Sequence, residues 1–204
     1  MKTFIVLIFC IIFHLSYFNA NKTIGIQPFK GFDKSLMDTL SKTIKQVYGF
    51  NVIILPEKDL PKNAFINVKS PRYRADTLLK YLEKNRPATI NHVIGLTAKD
   101  ISSTTYDEKG NIKEPEFKYK DWGIFGLGYC PGLCCVVSTF RLKNTSKENF
   151  ILRFKKVCIH ELGHNLGLPH CPAPGCVMGD ACETIKTVDN EKLELCPKCK
   201  SKIK

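Results

Sequence analysis

The chain has 204 residues, 44% of them apolar, which suits one ordinary domain with its own core and is too short for a large multidomain assembly. Its formal net charge of +12 comes from basic residues scattered along the whole length, often beside acids as in Lys113 to Trp122. With no run that interleaves basic residues with aromatics, the charge reads as a solvated surface and argues against a nucleic-acid binder.

The first twenty residues combine Lys2, an apolar run from Phe4 to Leu15 and a more polar exit at Ala20. This is the pattern of an export signal or, if uncleaved, of an N-terminal anchor. The run is shorter than the roughly 20 residues a membrane span needs, and no later stretch qualifies. Cys10 reads as an apolar residue of that segment rather than a lipid-attachment site. The expected organisation is a signal peptide at 1–20 and a single domain at 21–204, exported to a periplasm or beyond.

In chain order, Thr23 to Phe29 reads as a first strand. Asp33 then caps a helix whose Leu36, Leu40, Ile44 and Val47 recur at helical spacing. Phe50 to Pro56 reads as a buried strand, Arg74 to Asn85 as a second helix and Ala88 to Thr97 as a third strand. Such alternation predicts an α/β domain with a mixed twisted sheet. Residues 99–120 read as a polar loop, followed by two strands, Trp122 to Tyr129 and Cys135 to Phe140, around a turn at Cys130 to Leu133. Thr145 to Glu148 offers a capping box for one long helix that carries Phe150, Ile151, Phe154, Cys158, Leu162 and Leu166 as a stripe and ends at Gly167. Beyond Pro169 the chain is rich in Cys, Pro and Gly, with one short helix expected near Val188 to Leu195. That tail has too little apolar material to hold itself together.

Three of the chain's five histidines crowd at the end of the long helix. His160 and His164 are four residues apart, so both imidazoles lie on one helical face and reach for one metal ion. Glu161 points near the same cavity and can take a proton from water there. Gly167 lets the chain turn sharply and bring back His170 as a third ligand. Three neutral imidazoles leave one zinc position open for water, whose pKa the ion lowers to about 7, and this is the equipment of a hydrolase. Chance placement of surface histidines accounts poorly for so constrained a spacing. Cys171 and Cys176 face Cys196 and Cys199 across nineteen intervening residues. Four thiolates suit a second, structural zinc that pins the tail; two disulfides are the alternative that export keeps open.

At these residues the sequence resembles the archaemetzincin family. His160 to Cys171, then Cys176 with Val177 and Met178, then seventeen residues and Cys196 to Cys199, look like the family's full signature without a departure in spacing. Asp121 to Leu142 is similar to the two strands that precede the family's active-site helix. The resemblance implies a metzincin-like single domain with a long active-site helix and a zinc-pinned C-terminal tail. It implies a catalytic zinc on His160, His164 and His170, Glu161 as general base, and a second zinc on Cys171, Cys176, Cys196 and Cys199. Met178 would be an apolar floor beneath the histidines. A peptide or protein substrate would lie along an edge strand near Trp122 to Tyr129.

Cys158, on the stripe of the helix, is expected to be a buried thiol. Cys130, Cys134, Cys135 and Cys182 carry no pairing assignment, and Asn21 and Asn144 lie in glycosylation sequons. The expected state is a monomer, with any membrane contact made only through an uncleaved N-terminal segment. Two other readings compete: a non-catalytic zinc-binding module that keeps the fold, against which the intact Glu161 argues, and a basic envelope-binding protein, which lacks a patch.

Overall fold

In the computed structural model, which describes residues 22–143, 145–179 and 184–203, two mixed sheets and the helices around them build the domain. The expected signal segment, Asn21, Asn144 and Cys182 lie outside the described residues. The chain opens with β1 (Thr23–Pro28), α1 (Lys34–Tyr48) and β2 (Asn51–Ile54). Asp33 caps α1 by accepting from the Ser35 N–H at 2.8 Å, and the helix buries Leu36, Leu40 and Ile44, the stripe read from the sequence. Short strands β3 (Phe65–Asn67) and β4 (Pro71–Arg74) precede α2 (Ala75–Lys84) and β5 (His92–Thr97). Then come β6 (Ile101–Ser103), a four-residue helix α3 (Glu116–Tyr119), β7 (Trp122–Ile124), β8 (Gly126–Gly128) and β9 (Cys134–Ser138).

The main sheet runs in the order β2-β1-β5-β9-β8, parallel except for β8, which pairs antiparallel with β9. Alternation along β9 divides the core. Cys135 and Val137 face α1 and the long helix, while Cys134 and Val136 face α2 with Leu78, Leu79 and Leu82. All of these are fully or almost fully buried, each contributing on the order of 1.5–3 kcal/mol for a Leu- or Val-sized side chain.

Several sequence expectations are corrected here. Phe50 to Pro56 forms the outermost strand rather than a buried one, with Ile53 48% and Ile54 42% exposed. The loop expected at 99–120 contains β6 and α3. Trp122 to Tyr129 is two strands, β7 in a second sheet of order β3-β4-β6-β7 and β8 at the edge of the main sheet, with Phe125 between them. That second sheet is fastened by buried charge. Asp100 accepts from Arg72 Nε at 2.9 Å and from Arg141 Nε at 2.7 Å, and Arg72 also reaches Asp121 at 3.0 Å. Beside it, Lys118 lies over the rings of both Tyr119 and Trp122.

The long helix α4 spans Lys147–Asn165 and buries Phe154, Cys158 and Leu162 as the stripe predicts. Its cap is Ser146, accepting from the Asn149 N–H at 3.2 Å, one residue later than the expected Thr145. The tail adds α5 (Ile185–Asn190), which begins three residues before the segment expected to be helical and covers only its first turn, and α6 (Pro197–Lys200). Among the described residues no helix is long and apolar enough to cross a membrane.

Candidate active site

Helix α4 delivers His160 and His164 one turn apart, and the chain after it returns at Gly167, whose φ of 86° is one that side chains rarely adopt. His170 follows on the returning segment. The three imidazoles face one another with ring centroids 4.5, 5.3 and 4.9 Å apart, and one ring nitrogen from each lies within 4.8 Å of the others. The first two rings are held by carbonyls: His160 Nδ1–H donates to Val177 O and His164 Nδ1–H to Leu168 O, both at 2.8 Å. A carbonyl only accepts, so each Nδ1 carries the proton and each Nε2 carries the lone pair a metal needs. Burial holds His164 below the ordinary imidazole range, which favours the neutral form that a metal ligand needs.

Glu161 is 9% exposed, and burial pushes its carboxyl up to about 8 against a hydrogen bond from the Gly128 N–H. A carboxyl so placed holds and releases protons near neutrality, and a cation close by would draw it back down. Strand β8 reaches it because Gly126 has no side chain: a Cβ there would stand 2.7 Å from Glu161 Cγ. The outer edge of β8 has no strand partner among the described residues, so the edge expected between Trp122 and Tyr129 narrows to this strand. Beside Glu161 and His160 lies a cleft of about 370 Å³, walled by β7, β8, α4 and the tail.

The tail packs beneath the histidines. Met178 is fully buried with its sulfur against Gly163 of α4, and its carbonyl accepts from the Cys171 N–H at 2.8 Å. Val177 joins both halves, since its N–H donates to Glu194 O and its carbonyl holds His160. Cys171, Cys176, Cys196 and Cys199 bring their sulfurs within 4.8 Å of one another, all unbridged. The Sγ atoms of Cys171 and Cys196 are 3.7 Å apart. Four thiolates about 2.3 Å from a central zinc stand about 3.8 Å from each other, so the donor set fits that ion. Cys196 is pulled down to about 7, first by the Cys199 backbone N–H, while burial holds Cys176 and Cys199 up. Cys158 is buried within the core, as expected, and Cys134 and Cys135 are buried on β9.

Sequence reasoning missed three contributors. Lys156, four residues before His160, lines the cleft although it is only 5% exposed. Its spacing was legible but its burial was not. Asn165 donates to Tyr129 O and Cys134 O, clamping the loop after β8 to the helix. Arg153 makes a two-pronged pair with Asp189, both contacts at 2.7 Å, and so ties α5 to α4.

Residues 20–204 match the model of peptidase family M54. The archaemetzincin of Halobacterium salinarum is 30% identical over 168 residues, covering 78% of this chain and 86% of that protein. The crystal structure of archaemetzincin from Methanopyrus kandleri superposes with a TM-score of 0.71 at 27% identity, covering 93% of this chain and 97% of that one. The archaemetzincin from Archaeoglobus fulgidus, crystallised with malonate, gives a TM-score of 0.68 at 28% identity over 89% of this chain and 99% of that one. With the whole domain matched in sequence and in fold, the chain belongs to peptidase family M54, the archaemetzincins, and is a zinc metallopeptidase.

Proposed function

We propose that His160, His164 and His170 hold the catalytic zinc, that Glu161 is the general base, and that Cys171, Cys176, Cys196 and Cys199 hold a second, structural zinc. The observation that carries this reading is the convergence of three ring nitrogens within 4.8 Å beside a buried carboxyl. Zinc, when bound, supplies Lewis acidity that acidifies a water and polarises a carbonyl. The chain's own residues do the rest. A peptide lies along the open edge of β8, Glu161 takes a proton from the attacking water at a carboxylate oxygen, and it then passes that proton to the leaving amine nitrogen. The buried surroundings exclude competing water from the carboxyl. Cys171 adjoins His170, so a metal held by the four cysteines would also help to position the third histidine.

Metal removal tests the assignment. Two zinc ions are expected per chain, and a mild chelator should take the open, three-histidine ion first, abolishing peptide hydrolysis while circular dichroism barely changes. Departure of both ions together with unfolding would contradict two separable sites. A second test uses the close approach of β8. Gly126→Ala forces Glu161 aside, and kcat/KM should fall on the order of 10- to 100-fold, because a displacement of about 1 Å costs that much. Wild-type kinetics in this variant would mean that Glu161 does not act from its observed position.

We also read the chain as exported. The family match begins at residue 20, where the apolar leader ends, and this supports a leader separate from the catalytic domain. N-terminal sequencing of the cellular protein checks it: a mature chain starting near Asn21 is expected, and an intact Met1 on cytoplasmic protein would contradict it.

A further inference from the structure

The cleft beside Glu161 contains two charged groups that the reaction does not use, Lys156 and Glu191. Lys156 sits on α4 one turn before His160, within a lining that joins the rings of Tyr119, Trp122 and Phe125 to the hydroxyl residues Ser103 to Thr105. An ammonium carries three N–H donors. Two of them go to Val188 O at 2.9 Å and Asp189 O at 3.0 Å, and the third has no acceptor among the described residues. The Asp189 carboxylate attracts it from a distance, but both of its oxygens are bonded to Arg153. Glu191 lines the same cleft from the tail, and its buried Oε2 has no hydrogen-bond partner among the described residues. No ion pair joins Lys156 to Glu191 among those residues. A donor and an acceptor left unmade in an apolar setting are costly and call for a ligand that completes both.

We propose that Lys156 and Glu191 make this cleft a tyrosine-selective pocket for a substrate residue beside the scissile bond. The proposal rests on the peptidase reading of the site. The phenol ring fills the space between the aromatic walls, its oxygen accepts from Lys156 Nζ, and its hydroxyl proton is donated to the Glu191 carboxylate. Other side chains satisfy only part of this. Phenylalanine leaves both polar groups unmade, an acidic side chain has no proton for Glu191 and meets its charge, and lysine or arginine cannot accept from Lys156. A glutamine amide meets both groups but lacks the ring that a cleft of about 370 Å³ with aromatic walls accommodates.

The test uses the zinc-loaded full chain and peptides identical except for Tyr, Phe, Gln, Glu or Leu at each position flanking the scissile bond. Tyrosine is expected to exceed phenylalanine by about 10- to 100-fold in kcat/KM at one position, the ratio that a hydrogen bond to a charged group supports. Equilibrium binding to the Glu161→Gln variant should show the same order without turnover. Lys156→Met should bring the Tyr-to-Phe ratio near one, the Tyr peptides losing more than the Phe peptides. Because Lys156 also ties α4 to α5, Glu191→Leu provides a second variant, expected to lower the same ratio. Equal handling of Tyr and Phe by the wild type, a preference for Glu, or a Lys156→Met variant that loses Tyr and Phe peptides in equal measure would each overturn the pocket while leaving the peptidase reading intact. Failure of the zinc-loaded chain to bind or cleave any of the peptides would overturn both.

Discussion

Replacing Glu161 by Gln will leave the fold and both metal sites in place and cut peptide hydrolysis by about 100- to 10,000-fold, the usual loss when a general base is removed. The amide matches the carboxylate in size, so the close contact with β8 at Gly126 and the hydrogen bond from the Gly128 N–H both remain possible. What disappears is the ability to accept a proton from the attacking water. Because Glu161 is almost fully buried and its carboxyl is raised to about 8 by that burial, the neutral amide is also the less costly occupant, and the variant should melt no lower than the wild type. Steady-state kinetics with a fluorogenic peptide, a zinc count and a thermal melt on one preparation check all three parts. Hydrolysis at the wild-type rate would mean that the helix and its histidines are not the catalytic machinery.

Cys196→Ser should have the larger effect on stability. Structural zinc in small peptides contributes an apparent 10 to 16 kcal/mol or so near pH 7, and losing even a third of that approaches the roughly 5–15 kcal/mol total of an ordinary domain. The tail depends on this site because its buried residues are few: Val177, Met178 and Val188 join Cys171, Cys176 and Cys199 in the core. Activity should fall as well, since Cys171 is next to His170 in the chain and since Val177 O, which holds His160, belongs to the same packed segment. The expected result is one zinc fewer per chain, a lower melting temperature and impaired hydrolysis together. Two disulfides offer a rival account, each worth about 2–4 kcal/mol. Mass spectrometry of unreduced protein separates them: four free thiols released on zinc removal support the metal, and two bridges among these cysteines with full activity would sink it.

The grouping of three histidines and of four cysteines was legible because each part obeys a local rule. A four-residue helical spacing, a glycine at positive φ and a pair of cysteines two residues apart need no tertiary information to be read. The stripe on α4 was equally plain, and its Cys158 is buried as the spacing requires. What stayed hidden depends on neighbours distant in sequence. Val52, Ile53 and Ile54 read as a buried strand because hydrophobicity does not reveal which strand ends a sheet, and this one is the edge. Strands β3, β4 and β6 are three or four residues long, too short for any period, and exist through pairing across the second sheet and the Asp100 charge cluster. The break at Phe125, which moves one half of an apparently continuous strand into another sheet, is a property of the pairing partners. Lys156 is the clearest case. Its position relative to His160 was in plain view, yet only the fold shows that α5 covers it and gives it two carbonyls.

The most direct test of the central claim is an anomalous difference map collected at the zinc edge from crystals of the purified chain. Two peaks are expected, one bounded by the ring nitrogens of His160, His164 and His170 next to Glu161, and one bounded by the sulfurs of Cys171, Cys176, Cys196 and Cys199. A map with no peak among the three histidines, or with continuous density joining the four sulfurs into two disulfides, would contradict the account.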